Sequence, residues 1–374
     1  MTLPRHAYVH VPFCRHRCGY CDFTLVAGRD DLLAAYFSAL RQELERVSKP
    51  LKLETLYLGG GTPSHLGPQG LQRLFDLLWP MLQPTSSAEV TVEANPLDVT
   101  PAFVAAVGDL GVTRMSLGGQ SLNAATLSSL DRDHSPDDVR RAVDLLLAAG
   151  LTVSVDLMTA APGQTLAAVE RDLDAIVALG TQHVSVYCLT WESGTDFASQ
   201  RRKGLLRPVQ EETERAMFEL AIDRLVATGH EHYEVSNFAR SGGRCRHNEA
   251  YWDCRPWEAF GPGAARFDGR TRITNHRSTT TWIKRVLAAE DASGEIETMT
   301  AEEAARERLV VGLRRRAGVD HKAFARASGF TVEQLAARPI ERWLAAGLAE
   351  EKGGSIRLTR EGLLVSDSLW AEVL

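Results

Sequence analysis

The chain lacks any apolar run approaching the ~20 residues that a membrane-spanning helix requires. Its opening, MTLPRH, carries Pro4, Arg5 and His6 in place of an apolar stretch, so no secretory signal is expected. Cysteine is scarce as well: six in 374 residues, three of them clustered, do not make a disulfide framework. These absences together predict a reducing, cytoplasmic setting. An excess of basic charge is also missing. The formal net charge of -6 gives no electrostatic reason to expect nucleic acid as the main partner. There is no low-complexity segment. The remaining composition, 44% hydrophobic and 24% charged, is that of an ordinary globular protein. Its length suits two domains, or one large and one small.

What is present begins with Cys14, Cys18 and Cys21 in VHVPFCRHRCGYCDF. The spacing is C-x3-C-x2-C, and no fourth cysteine lies near it. A structural zinc site is usually closed by four ligands, so three leave an open position. A cubane iron–sulfur cluster on three cysteines likewise has one iron free to take a small molecule. Phe13, Tyr20 and Phe23 flank the loop and would shield a redox centre from water. Three purely structural cysteines are the plain alternative. The spacing, just after a short apolar strand, resembles the radical S-adenosylmethionine (SAM) superfamily. That resemblance implies a [4Fe-4S] cluster whose free iron chelates the amino and carboxyl groups of SAM and supplies the electron that cleaves it.

Up to about Gln200 one unit recurs: a helical stretch stops at glycine and a β-branched run follows. Gly111, Gly150 and Gly180 each mark such a junction, where glycine accepts the left-handed C-cap. Ser135-Pro136-Asp137-Asp138 marks a helix start. Six strands are predicted: Ala7–Val11, Thr55–Leu58, Val90–Glu93, Thr113–Leu117, Val153–Leu157 and His183–Tyr187. Alternation with helices argues for parallel βα units. A doubly wound sheet competes, but polar residues at most strand C-termini favour a barrel rim. The fold class is therefore α/β, a partial (β/α)6 radical-SAM barrel over 1–206.

Beyond it, 207–295 reads as a connecting helix (Gln210–Thr228) and an irregular, His- and aromatic-rich segment. Residues 296–374 read as a small winged-helix-like domain. There Thr300 and Glu303 form a capping box for a helix through Arg316, and a hairpin turns at Gly353-Gly354. A packing role suits this domain better than DNA recognition. Arg314-Arg315-Arg316 reads as a solvated helix end.

Several strand ends carry polar groups suited to SAM, which needs acceptors for its amine and ribose hydroxyls and a cation for its carboxylate. GGGTPS follows the second strand and resembles the SAM-binding glycine segment of the superfamily. Gly60, Gly61 and Thr62 are therefore expected to contact SAM through backbone and hydroxyl. Glu93 ends the third strand, Gln120 and Ser121 follow the fourth, Arg132 lies in DRDH, and Asp156 ends the fifth. Any one of them is explicable as a buried salt bridge. Converging on one mouth, Glu93, Gln120, Arg132 and Asp156 read as the SAM pocket.

The ordered set YVHVPFCxxxCxYCDF, YLGGGTPS, VEANP, GGQS, VDLMxxxPGQT, VSVYxLTxExGT, YEVSNFA and HNEAYW resembles the HemW heme chaperone family over most of the chain. That branch is related to oxygen-independent coproporphyrinogen III oxidase (HemN). The oxidase carries a further cysteine where this chain has Phe23, and an N-terminal extension where only six residues precede the first strand. The resemblance thus implies heme binding and delivery to heme-acceptor proteins, with any membrane association peripheral, through the acceptor. Porphyrinogen decarboxylation is the less favoured alternative, and SAM cleavage is left open.

Within HNEAYW the resemblance makes His247 the candidate heme ligand, with Tyr251, Trp252 and Trp257 as rings to cover a macrocycle. Read alone, His247 is more simply a loop histidine bonded to backbone. Cys245 and Cys254 form an incomplete metal set with it. Cys188 reads as a buried core thiol. The family's GxGAH segment appears here as Gly261-Pro262-Gly263-Ala264-Ala265, without its histidine.

Overall fold

A computed structural model describes residues 3–374. Six strands stand in chain order and pair in parallel: β1 (His6–Val11), β2 (Leu51–Gly60), β3 (Leu82–Ala94), β4 (Arg114–Gln120), β5 (Thr152–Thr159) and β6 (His183–Cys188). The crossovers are helices such as Leu33–Leu44, Gly67–Leu78, Pro136–Ala148 and Leu166–Ala178. Their apolar faces meet the outward residues of the strands, for example Leu56 and Leu58, Val90 and Val92, Val153 and Val155, all at most 2% exposed. Gly111, Gly150 and Gly180 take φ of 77°, 77° and 70°, as C-cap glycines should. Ser135 and Asp138 complete a capping box.

The helix expected after the barrel is present as Glu211–Ala227, but the stretch after it is less irregular than expected: it joins the barrel sheet at both edges. Glu258–Phe260 adds in parallel beside β1, while Asn237–Ala239 adds antiparallel beside β6 and is followed outward by Glu231–His232, giving nine strands. Open edges carry unpaired N–H and C=O groups, and these short strands satisfy them. Phe238, Phe260 and Trp282 are buried in the same core as the barrel helices, so that core runs on to Ala292. Ala265–Phe267, Thr271–Asn275 and Ser293–Thr298 form a separate antiparallel sheet.

Glu43 fastens this region to the barrel. It is 1% exposed, accepts from the Gly261 N–H at 2.7 Å and the Asn275 amide at 2.6 Å, and pairs with Arg46 at 2.8 Å. Glu43→Leu leaves those buried donors unsatisfied. We expect a loss of about 3 kcal/mol in stability, read as a lower denaturant midpoint.

A second core, including Leu309, Leu313, Phe324, Trp343 and Ile356, belongs to the C-terminal domain. Thr300 and Glu303 cap its first helix, Ala301–Leu313. Ala349–Lys352 and Ser355–Leu358 form the expected hairpin beside Val319–Asp320. The arginine triplet is not a solvated end. Arg315 pairs with Asp253, Arg314 lies 5.1 Å over the Trp252 ring, and Arg316 donates to the Leu358 carbonyl at 3.3 Å. Arg314 and Arg315 join the domain to the 233–253 segment through their guanidinium groups and Arg316 through its backbone N–H on the Tyr233 carbonyl, which no local pattern foretells.

Candidate functional site

The interior of the barrel is polar. Along β3 to β6 every second residue turns inward: Glu93 on β3, Arg114, Ser116 and Gly118 on β4, Ser154 and Asp156 on β5, His183 and Ser185 on β6. With Tyr57 of β2 these line a cavity of about 440 Å³. Its mouth is the cysteine loop. Cys14, Cys18 and Cys21 all carry free thiols and all line the cavity. Gly60, Gly61, Thr62, Glu93, Gln120, Arg132 and Asp156 line it too. The structure therefore brings the three cysteines, Tyr20 and Phe23 into one space with the seven residues expected to contact SAM, while Phe13 packs in the core instead.

The loop is held tightly. Cys14 Sγ lies 3.2 Å from the Thr62 hydroxyl, and Arg132 Nη1 donates toward Cys18 Sγ at 3.4 Å. Arg132 Nη2 donates to the Gly118 carbonyl at 2.9 Å, while its buried Nε has no hydrogen-bond partner. Burial pushes the Cys14 thiol up to about 12, against the Thr62 hydrogen bond, and raises Cys21 as well. Among the described residues no three His, Cys, Asp or Glu side chains converge on a single-ion position. Three cysteine thiols on one cavity wall, with no fourth cysteine among the described residues lining it beyond Cys188 and Cys245, are a donor set that can hold a cluster and leave one iron free.

The glycine segment is built for close approach. A Cβ on Gly60, at φ 112°, would fall 2.4 Å from the His10 ring, and one on Gly61 would fall 2.8 Å from the Phe13 carbonyl. Its backbone donors, however, are spent. Gly60 N–H bonds Glu93 at 3.0 Å, Gly61 N–H the Val11 carbonyl and Thr62 N–H the Phe13 carbonyl, both at 2.8 Å. Carbonyl oxygens and the Thr62 hydroxyl are what the segment can offer a ligand.

Glu93 accepts the Tyr57 hydroxyl at 2.9 Å, yet burial lifts its carboxyl to about 7. Burial lifts Asp156 to about 6 despite Ser185 and Ser116 beside it. Gln120 takes a φ of 63°, rare for a side-chain-bearing residue and a mark of a constrained site. Ser121 turns away, its hydroxyl on Asp172 at 2.6 Å.

His247 stands elsewhere. It lies in a helix, Arg246–Trp252, not in an irregular loop, and is 1% exposed. Its Nδ1 meets the Thr55 hydroxyl at 2.8 Å and its Nε2 the Tyr251 hydroxyl at 2.9 Å. The Tyr57 ring, itself on the cavity wall, lies against it at 5.2 Å between centroids. Burial lowers its pKa to about 3. Both nitrogens are engaged, so the expected axial ligand has no free lone pair to present. His247→Ala is expected to cost about 2 kcal/mol by removing a buried ring and the Tyr251 hydroxyl's partner, while Thr55 keeps its bond to His6 at 3.0 Å, visible as a fall in Tm with the cluster spectrum unchanged. A shifted Soret band in folded, heme-loaded H247A protein would restore the ligand role.

The other cysteines divide. Cys245, 3% exposed, reaches the cavity's inner end. Cys254 packs with Phe267 and Met299. Cys188 is not a core thiol: half-buried at the end of β6, it lines the cavity, 3.2 Å from the Thr159 hydroxyl. Tyr57, Arg114, Ser154, His183 and Ser185 were not foreseen, although the alternation in VSVDL and HVSVYC carries the signal.

A parallel six-stranded curl with a three-cysteine loop at its mouth defines the class. Residues 8–176 match the radical SAM superfamily model, and residues 299–365 match the HemN C-terminal domain. Coproporphyrinogen III oxidase (HemN) from Escherichia coli superposes with a TM-score of 0.86 over 98% of this chain and 89% of that one, at 19% identity, and so shares the fold.

At the level of sequence, the chain is 32% identical to the heme chaperone HemW of Bacillus subtilis over 99% of both chains. It is 36% identical to HemW of Mycobacterium tuberculosis, over 98% of this chain and 94% of that one. The mouse mitochondrial radical S-adenosyl methionine domain-containing protein 1 is 33% identical, over 98% and 86%. The chain belongs to the HemW heme chaperone family. Among the described residues no helix is long and apolar enough to cross a membrane.

Proposed function

We propose that the protein binds heme and passes it to acceptor proteins, and that it carries a [4Fe-4S] cluster on Cys14, Cys18 and Cys21 with SAM beside it. The observation that carries this reading is the likeness to heme chaperones along the whole chain, C-terminal domain included. When bound, the cluster would supply a free iron to chelate SAM and an electron to its sulfonium. The chain's own residues do the rest. Arg132, desolvated but favoured as a cation by Tyr20 and the Cys18 thiol, holds positive charge against the loop. Glu93 and Asp156 give acceptors to amine and ribose hydroxyls, with Gln120 beside them. Gly60, Gly61 and Thr62 line the same space and offer the ligand carbonyl oxygens and the Thr62 hydroxyl.

The protein would work in the cytosol and reach a membrane only through its acceptor. The alternative is coproporphyrinogen decarboxylation. Phe23 argues against it, 62% exposed at the cavity where the oxidase branch carries a further cysteine. The deciding experiment is anaerobic reconstitution followed by heme titration, with 5'-deoxyadenosine and porphyrin products assayed on the same sample. The chaperone reading expects stable heme binding, transfer to an apo-hemoprotein and no protoporphyrinogen. Robust decarboxylation would replace it with the oxidase reading.

A further inference from the structure

We propose that the inner end of the cavity, opposite the cysteine loop, is a carboxylate subsite in which Arg114 supplies the cation and Asn248 and Ser154 the neighbouring hydrogen bonds. Arg114 is the first residue of β4, so it belongs to the end of the barrel away from the cluster loop. It is 2% exposed and lines the cavity. Nη1 donates to the Gly243 carbonyl at 2.9 Å and lies 3.8 Å from a Glu89 oxygen. Nη2 is buried and has no partner. A ligand oxygen placed against Nη2 would complete the bond that this buried charged donor lacks.

Glu89 is a poor candidate for that occupant. Its oxygens accept from the His247 N–H at 3.1 Å and the Arg246 N–H at 3.3 Å, with Cys245 Sγ at 3.7 Å. It is committed to the turn that closes the barrel floor. His183 does not add charge. Its Nδ1 meets Ser154 at 2.7 Å and its Nε2 the Tyr233 hydroxyl at 2.9 Å, and burial, with Arg114 next, keeps it neutral. Asn248, half-buried on the floor helix, faces the same space. A guanidinium nitrogen without a partner, in a cavity wall that also carries an amide, can donate to a carboxylate.

This inference rests on the proposed function, whose tetrapyrrole ligand bears propionates; the carboxylate of SAM belongs at the cluster, at the opposite end of the cavity. The test compares wild type, Arg114→Met and Asn248→Asp, each reconstituted with cluster. Hemin and hemin dimethyl ester are titrated by absorbance, and SAM by equilibrium dialysis. If a propionate fills the subsite, both variants weaken hemin by about tenfold or more, the worth of one charged hydrogen bond. They leave the dimethyl ester and SAM unchanged.

A tenfold loss for SAM with hemin unchanged overturns the propionate assignment. Unchanged affinity for both ligands overturns it. Arg114→Met removes a bond to Gly243 and may not be omitted from a folding check by circular dichroism; should it unfold, Asn248→Asp decides alone, because it places a negative charge against the incoming carboxylate. Wild type that binds no hemin sinks the proposed function, whereas wild type that binds hemin and its ester equally, with SAM insensitive to both variants, sinks only the subsite.

Discussion

Cys18→Ala is expected to abolish the brown absorption of the reconstituted protein and, with it, SAM binding, while the far-ultraviolet circular dichroism stays that of wild type. The cysteine loop keeps its shape through backbone. Cys21 N–H bonds the Cys18 carbonyl at 3.1 Å, Val26 N–H the Pro12 carbonyl at 2.8 Å and Gly28 N–H the Cys14 carbonyl at 3.1 Å. None of these needs the Cys18 thiol. The thiol's own neighbours are Arg132 at 3.4 Å and His16 at 3.7 Å, and both remain after the substitution. A trio of ligands has no spare member, so removing one loses the cluster as a whole. Iron and sulfide analysis of C18A protein against wild type is the measurement. C18A protein with full iron content would strike Cys18 from the ligand set, and wild type that takes zinc but no iron would end the radical SAM reading of the site.

The site was legible where chemistry and chain position coincide. Three cysteines directly after β1, glycines after β2, Glu93 near the end of β3 and Asp156 on β5 can be read because parallel βα units put strand C-termini on one rim. Helix boundaries were legible at Gly111, Gly150, Gly180, Ser135 and Thr300, where capping is a local matter. What failed to show was set by distant partners. His247 is buried because Thr55, 192 residues earlier, accepts or donates to its ring. The three-residue strands Asn237–Ala239 and Glu258–Phe260 are too short to show a period, and their partners β6 and β1 lie far off in sequence. Arg314 to Arg316 look solvated until Trp252 and Asp253 are placed beside them. The polar lining was readable in principle. Parallel strands covered by helices usually run continuously apolar, so the alternation in TVSVDL and HVSVY marks strands whose second face borders a cavity.

That lining leads to the last expectation: affinity for SAM should rise with pH between about 5 and 8, and Glu93→Gln should flatten the rise. Glu93 and Asp156 are buried carboxyls held up to about 7 and about 6, chiefly by desolvation, and the Asp156 carboxylate further disfavours ionisation of Glu93. A cationic ligand, with its sulfonium and amine, binds the ionised pair best, so binding draws protons off and strengthens as pH passes through those values. Stability of the ligand-free protein runs the opposite way. Both folded pKa values exceed their unfolded ones, near 4.5 and 3.8, so the contribution of these groups is full below about 4 and is lost as pH rises through 6 to 7. For Glu93 alone that loss is on the order of 3 kcal/mol. Glu93→Gln removes the charge but leaves one acceptor oxygen for two donors, the Tyr57 hydroxyl and the Gly60 N–H, so the stability of the free variant should fall less than that of wild type between pH 6 and 8, and it should bind SAM at least tenfold more weakly at pH 8. Equilibrium dialysis of SAM and urea unfolding across pH 5–8 read the two effects separately. A wild-type affinity that is flat in pH would mean that Glu93 stays protonated in the complex and acts as a donor.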